Sequence, residues 1–360
     1  MPLLLVNCGS SSLKYELREG SQILAADTIR EVTDYGAALE QALEDDRVTQ
    51  VDAVAHRVVH GGRHFTEPVL IDDEALGRLR ELAELAPLHN SRAVAAIEAS
   101  RRLLGSDMPM VASFDTSFHA EMPARASTYA IPKELAERHD IRRYGFHGLA
   151  HRYMAERHHD PDARLITLQL GSGCSAAAVA GGRSLDTSMG LTPLEGLVMA
   201  TRSGDVDPAL PAFLAEHEGI DPGETADLFN EESGLKGVSG RSGDMRELLE
   251  AGDERAELAI ELYCYRIRKY IGAYLAVLGG ADALVFGGGV GENSAPVRSR
   301  VCDGLGWCGI ELDQDENERA AGVEMRIDAG GPVEVWVRPV DEGEVMARDA
   351  EALLGGKEDG

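Results

Sequence analysis

Leu3-Leu-Leu-Val-Asn-Cys-Gly-Ser-Ser-Ser-Leu-Lys-Tyr-Glu-Leu17 is the stretch that decides the fold. An apolar run ends in a Gly/Ser turn. Residues 13–17 then alternate Leu, Lys, Tyr, Glu, Leu, the period of a half-buried strand. The reading is strand, turn, strand. About 160 residues later, Arg164-Leu-Ile-Thr-Leu-Gln-Leu-Gly-Ser-Gly-Cys-Ser-Ala-Ala-Ala-Val-Ala180 repeats the plan. Two such units fit a duplicated fold, one copy per domain. They fit two unrelated hairpins as well, since any two hairpins look alike.

Working outward, leucines 76, 79, 82 and 85 predict a helix over Asp73–Leu85. Helices are also predicted over Ser91–Leu104, which ends at Gly105, and over Arg255–Leu278. Strands are read at Val51–Ala55, Met110–Phe114, Leu165–Leu170, Ala283–Phe286 and Val333–Val337. Residues 229–254 and 313–332 are polar and acidic and read as surface loop with short helix. Alternation of this kind means α/β with a parallel or mixed sheet in each domain. A chain of 360 residues exceeds what one core usually holds, so two domains are expected.

The formal net charge is −27. That excludes a nucleic-acid or anionic-membrane binder, because phosphate neutralisation needs a basic face. An anionic substrate must then be met by local cations. The five cysteines form no CxxC pair and no zinc spacing, so they are expected as free thiols in a reducing cytoplasm. The start, Met-Pro-Leu-Leu-Leu-Val-Asn, lacks the basic segment of a signal peptide.

Asn7 to Lys14 is a Gly/Ser turn whose Ser10 and Ser12 hydroxyls and backbone N–H groups suit an anion, although such turns are commonly only turns. Gly171–Ser175 is a second, with the same alternatives open. Phe286-Gly-Gly-Gly-Val-Gly-Glu-Asn-Ser294 reads as strand, Gly loop and helix start, where backbone approaches a nucleotide. It does not match the dinucleotide fingerprint. Arg57 stands at a strand end in His-Arg-Val-Val-His-Gly-Gly, as an anion clamp or a surface ion pair. Asp115 ends another strand, a place that suits a metal-water ligand or a base. His147 sits in Tyr-Gly-Phe-His-Gly, and a lone His is usually structural. Asp341-Glu342 follow a strand and offer carboxylates to Mg²⁺. Asp186–Pro208 is a long irregular segment with one arginine, Arg202, in Thr-Arg-Ser-Gly-Asp. Together these fit phosphoryl transfer, which needs positioning and charge neutralisation. No Gly-x-Ser-x-Gly or His-Glu-x-x-His points to a hydrolase.

With these strings in this order, joined by Ala-Pro-Leu-His-Asn and Ser-Gly-Asp-Met-Arg, the chain resembles the acetate, propionate and butyrate kinase family of the actin and sugar-kinase superfamily. The resemblance runs from Val6 to Asp349. It implies a duplicated ribonuclease-H-like fold, with domains 1–118 plus 343–360 and 119–342, and a homodimer. It implies ATP and acetate giving ADP and acetyl phosphate, with Mg²⁺, or Mn²⁺ in its place. By motif, Arg57 and Arg202 bracket acetate and the phosphoryl group, Asp115 organises the site, and His147 stabilises the group in transfer. Asn7 and Glu342 lie near the metal. An apolar acetate pocket falls on Val59, Leu88, Phe146 and Pro193. Nucleotide contacts fall on Lys14, Ser10, Ser12, Gln169, Leu170, Gly171, Ser172, Gly173, Asp244, Met245, Arg246, Gly289, Val290, Gly291, Glu292 and Asn293.

The chain departs from the family pattern on the donor side. Gln169 and Ser172 stand where the family has His and Asn, and Leu149-Ala150 replace Thr-Ser. Pyrophosphate or another donor is therefore the alternative to ATP, and propionate the alternative to acetate. A carboxylate is already a nucleophile at neutral pH, so no strong base is required.

Overall fold

β1 (Pro2–Cys8) is apolar because it is central in its sheet: Leu3, Leu4, Leu5 and Val6 are all buried. β2 (Ser12–Glu19) pairs antiparallel with it and β3 (Gln22–Arg30) antiparallel with β2. β4 (Ala53–Val58), β5 (Val69–Leu70) and β6 (Met110–Phe114) complete a six-stranded sheet of order β3-β2-β1-β4-β6-β5. β1, β4 and β6 run parallel, and β5 closes the edge antiparallel. The computed structural model describes residues 1–9, 11–48, 50–85 and 87–355, the side chains of residues 84–89 excepted.

The second sheet repeats the first. β7 (Arg164–Leu170), β8 (Cys174–Ala180), β9 (Arg183–Thr187), β10 (Ala283–Gly287), β11 (Met325–Arg326) and β12 (Glu334–Val337) take the order β9-β8-β7-β10-β12-β11. β7, β10 and β12 are parallel and β11 is an antiparallel edge. The two permutations are identical, so the paired hairpins of the sequence are one duplicated fold. This is the arrangement the ribonuclease-H-like resemblance implies.

The chain divides into two compact units, Met1–Ala120 with His147–Leu149 and Asp341–Gly360, and Glu121–Phe146 with Ala150–Val340. In the first, helices Tyr35–Leu43, Asp73–Leu85 and Pro87–Leu104 supply Leu39, Leu76, Leu79 and Ile97 to a core shared with Leu4, Val6, Val54 and Phe114. The last of these helices begins before the predicted Ser91, because Pro87 can occupy a first helical position. The terminal helix Glu342–Gly355 returns to this unit, where Ser113 Oγ donates to Asp349 Oδ2 at 3.1 Å. In the second unit, helix Glu254–Leu278 starts on an Asp253 cap and ends at left-handed Gly279.

Other predicted boundaries move as well. The Val51–Ala55 strand is Ala53–Val58, so Arg57 lies within it. Val333 precedes its strand. The Gly-rich run after Phe286 is itself helical over Gly288–Asn293, since its small residues let the backbone coil against Leu170. β3 and β9 went unread because exposed faces interrupt their apolar alternation. Among the described residues no helix is long and apolar enough to cross a membrane.

Candidate active site

Register places the first unit's polar groups. Val6 pairs with His56 and Val58 with Phe114, which brings Asn7, Arg57 and Asp115 to the same ends of β1, β4 and β6. These are the C-terminal ends of parallel strands, the usual site in open α/β sheets. Arg57 donates from Nε to Asp115 Oδ1 at 2.8 Å and from Nη2 to Oδ2 at 2.7 Å. Its Nη1 lies 3.0 Å from Glu342 Oε2 and 3.4 Å from Asn7 Oδ1. Lys14 pairs with Asn7 across β1 and β2. Burial raises the Glu342 pKa, Arg57 opposes the rise and Asp115 adds to it.

The surrounding backbone is built to hold these groups. Gly148 N donates to Asp115 O at 2.9 Å, and a Cβ there would lie 2.1 Å from that oxygen. Only glycine permits the approach. The preceding His147 is half-buried and takes φ +57°, a left-handed conformation uncommon outside glycine. Asn90 is fully buried and clamps the turn after β4: its Oδ1 accepts from His60 N at 3.0 Å and its Nδ2 donates to His60 O at 2.7 Å. Half-buried Val59 lies between that clamp and Arg57. The side chain of Leu88, and Ser10 altogether, fall outside the described residues. Gly9 N donates to Ser12 O at 2.7 Å and closes the first Gly/Ser turn.

In the second unit the irregular segment is pinned along its length. Arg143 Nη1 donates to the carbonyls of Thr187, Ser188 and Met189, and its Nη2 to Glu195 Oε1 at 2.5 Å. Asp205 accepts from Gly196 N at 2.9 Å and from Tyr270 OH at 2.8 Å. Residues Leu235 and Lys236 donate their N–H groups to Met199 O and Ala200 O. Gly234 has φ +61°, and a Cβ there would lie 2.2 Å from Met199 O. Arg202 at the centre donates to Pro193 O at 3.0 Å and contacts Met199 Sδ at 3.6 Å. No carboxylate pairs with it among the described residues, and burial lowers its pKa. A desolvated guanidinium without an acid is a ready anion site. Phe146 and Pro193 are both buried in this unit.

Gly171, Ser172, Asp244, Met245, Arg246, Gly289, Val290 and Asn293 line one cavity of about 690 Å³. Its volume lies in the roughly 300–1,000 Å³ range of small-molecule sites. Ala200 N donates to Ser172 O at 3.0 Å, tying the Gly/Ser turn to the Arg202 segment. Asp244 caps helix Met245–Ala251, and its hydrogen bonds to Arg246 pull its pKa down to about 2. Gln169, Leu170, Gly173, Gly291 and Glu292 of this unit lie outside the lining. A Cβ on Gly291 would lie 3.6 Å from Leu170 Cβ, so these two segments pack closely. Glu292 Oε1 accepts from Gly288 N at 2.8 Å and Val340 N at 3.0 Å, so it latches the helix start. Gln169 ends β7 with its buried Oε1 unpartnered. A second hollow of about 670 Å³, lined by Cys264, Arg268 and Glu311 among others, holds none of the motif residues.

The sequence model of the acetokinase family matches residues 24–348. The chain belongs to the acetokinase family. It is 42% identical over 417 residues to an acetate kinase of Chloroherpeton thalassium, covering 99% of this chain and 100% of that protein. The crystal structure of Porphyromonas gingivalis acetate kinase matches it with TM-score 0.91 at 39% identity, over 98% of this chain and 99% of that one. A propionate kinase from Francisella tularensis matches with TM-score 0.91 at 35% identity, over 98% and 99%.

Several residues of this acetokinase-family chain escape motif reading. Asn90 and Arg143 act through backbone contacts whose partners lie far away in sequence, and Asp205 joins Gly196 N to the Tyr270 hydroxyl. Arg298 is fully buried, with no carboxylate partner among the described residues: Nη1 donates to Gly291 O at 2.8 Å and Nε to Asn317 Oδ1 at 2.7 Å. It supports the helix over which the cavity opens. The strings Ala-Pro-Leu-His-Asn90 and Arg143-Tyr-Gly were the available signals for the first two.

Proposed function

We propose that this chain transfers the γ-phosphoryl group of ATP reversibly to acetate, giving acetyl phosphate and ADP, by direct in-line attack of the carboxylate. It is a kinase with a carboxyl group as acceptor. The observation that carries the reading is Arg202, a half-buried guanidinium held by Pro193 O and, among the described residues, left without an acid.

In this reading Arg57 and Arg202 offset the repulsion between two anions, and Asp115 keeps the Arg57 fork aimed. His147 donates toward the transferring group. Val59, Leu88, Phe146 and Pro193 exclude water around the acetate methyl group. The 690 Å³ cavity takes the nucleoside, with Gly171 and Ser172 toward its phosphates. The Gly9–Ser12 turn and Lys14 serve the phosphates from the first unit.

The donors near Arg57 suit a hard divalent cation: Asn7 Oδ1 and Glu342 Oε2 are oxygens, and the carboxylates of Glu342 and Asp115 exceed the charge of one guanidinium. Asn7 and Glu342 would hold Mg²⁺, or Mn²⁺, through oxygens or water. When bound, the ion supplies charge neutralisation at the phosphates. No thiol takes part in this scheme: burial pushes Cys174 up to about 11 and Cys8 up to about 12. The same reading includes a homodimer in the cytoplasm, where the five free cysteines stay reduced.

Pyrophosphate as donor is the second reading, favoured by Gln169 and Ser172; the nucleoside-sized cavity favours ATP. Acetyl phosphate formation, trapped as hydroxamate, tests both donors side by side. Turnover with ATP is expected, with Arg202→Ala slower by about 10³-fold or more at unchanged circular dichroism. Normal turnover in that variant would remove the central role of Arg202.

A further inference from the structure

We propose a divalent transition-metal site on the second unit, formed by His158, His159 and Glu334 and separate from the proposed phosphoryl-transfer machinery. The donor set is two imidazole nitrogens and one carboxylate, which suits Zn²⁺ or Ni²⁺ and not Mg²⁺.

The geometry is close to what such an ion needs. His158 Nε2 lies 3.5 Å from Glu334 Oε2, and His159 Nδ1 lies 3.9 Å from the same oxygen. All three ligand atoms lie within 4.8 Å of one another. Tetrahedral zinc with bonds of about 2.0–2.1 Å sets its ligands about 3.3 Å apart, so small side-chain rotations close the site. The His158 side chain is only 3% exposed, yet its Nε2 has no hydrogen-bond partner. A cation between this buried nitrogen and the carboxylate would give both a partner.

Outer contacts already orient the donors. His158 Nδ1 lies 3.1 Å from Asp160 O and 3.2 Å from Asp160 N, so the Asp160 backbone holds the ring with Nε2 toward Glu334. Glu334 Oε1 accepts from Arg326 Nη1 at 2.9 Å, and Oε2 accepts from Trp336 Nε1 at 2.9 Å. His159 is 68% exposed, which leaves the remaining coordination positions open to water.

Location separates this site from the chemistry. Glu334 begins β12 and pairs with Ala283, which pairs with Leu165 at the start of β7. His158 and His159 lie in the connection that enters β7. The Gly171 turn and the Gly288 helix follow the opposite ends of β7 and β10. Five residues of strand separate the two edges by about 16 Å. A bound ion would therefore join the connection before β7 to β12 and stabilise the second unit without entering the reaction.

Chelator-treated full-length protein is titrated with Zn²⁺ and with Ni²⁺ by calorimetry, in millimolar Mg²⁺. One saturable ion per chain is expected, with a rise in thermal midpoint. His159→Ala and Glu334→Gln should each weaken binding at least tenfold and remove the thermal shift, while acetyl phosphate formation with Mg²⁺ and ATP stays at the parent rate. His159 is exposed, so its loss leaves packing intact. Absence of saturable binding, or equal affinity in both variants, overturns the proposal.

Discussion

Asp115 receives the Arg57 guanidinium as a fork, Nε on Oδ1 at 2.8 Å and Nη2 on Oδ2 at 2.7 Å, from the adjacent strand end. The pair is nearly buried, with side-chain exposures of 16% and 2%. A buried bidentate pair fixes the arginine's direction far better than a surface one. Asp115 is thus a positioning residue for Arg57.

Asp115→Asn keeps the size but accepts only one of the two N–H groups. Misaiming Arg57 should lower kcat by about 10²-fold. The cavity proposed for the nucleotide belongs to the other unit, so ATP binding measured by calorimetry should hardly change. Asp115→Glu should not restore the rate, because its longer side chain moves the fork.

Gly148→Ala puts a methyl group where Asp115 O already is, 2.1 Å from the built Cβ position. Backbone must shift on both sides, and His147 moves with it. Urea unfolding should show a loss of about 1–3 kcal/mol, the usual cost of overpacking. The rate should fall even at temperatures where the variant is folded.

Gly289 lines the cavity proposed for the nucleotide, and nothing lies within 4 Å of a Cβ built on it. A larger side chain there enters the cavity without straining the fold. Gly289→Leu should raise KM for ATP tenfold or more and leave KM for acetate unchanged. An unchanged ATP KM would move the nucleoside elsewhere.

His56 is buried on β4 beside Ser100 Oγ at 3.2 Å, and burial pushes its pKa down to about 3. The unfolded chain, with His near 6.5, then binds more protons than the folded one between these values. Stability is fully present above about pH 6.5 and is lost as pH falls toward 3. Between pH 7 and 5 the loss should be on the order of 2 kcal/mol from this group. Denaturant midpoints at the two pH values, in the parent and in His56→Gln, isolate it: the variant should lose most of this slope.

Motif and period carried the hairpins at 3–17 and 164–180, the helix Asp73–Leu85 and the strand-end position of Asp115. Local pattern is enough there, because side-chain period reports burial directly. The Gly288–Asn293 helix was unreadable as a helix, since glycine is a poor helix former and only contact with Leu170 explains its place. The contacts of Arg143, Asn90 and Arg298 were equally hidden, although motif strings hold the first two. Most of their partners are backbone atoms, and a backbone carbonyl has no signature in a residue string.

Residue order alone determined the duplicated α/β plan, the family and the residue types offered to two anions. Those are properties of composition and spacing, which the chain carries before it folds. Tertiary structure alone decided that Asp115 aims Arg57, that Arg202 stands without an acid among the described residues, and that eight motif residues share one cavity while others lie outside its lining. Such facts depend on strand register and on burial, which exist only once distant segments lie side by side.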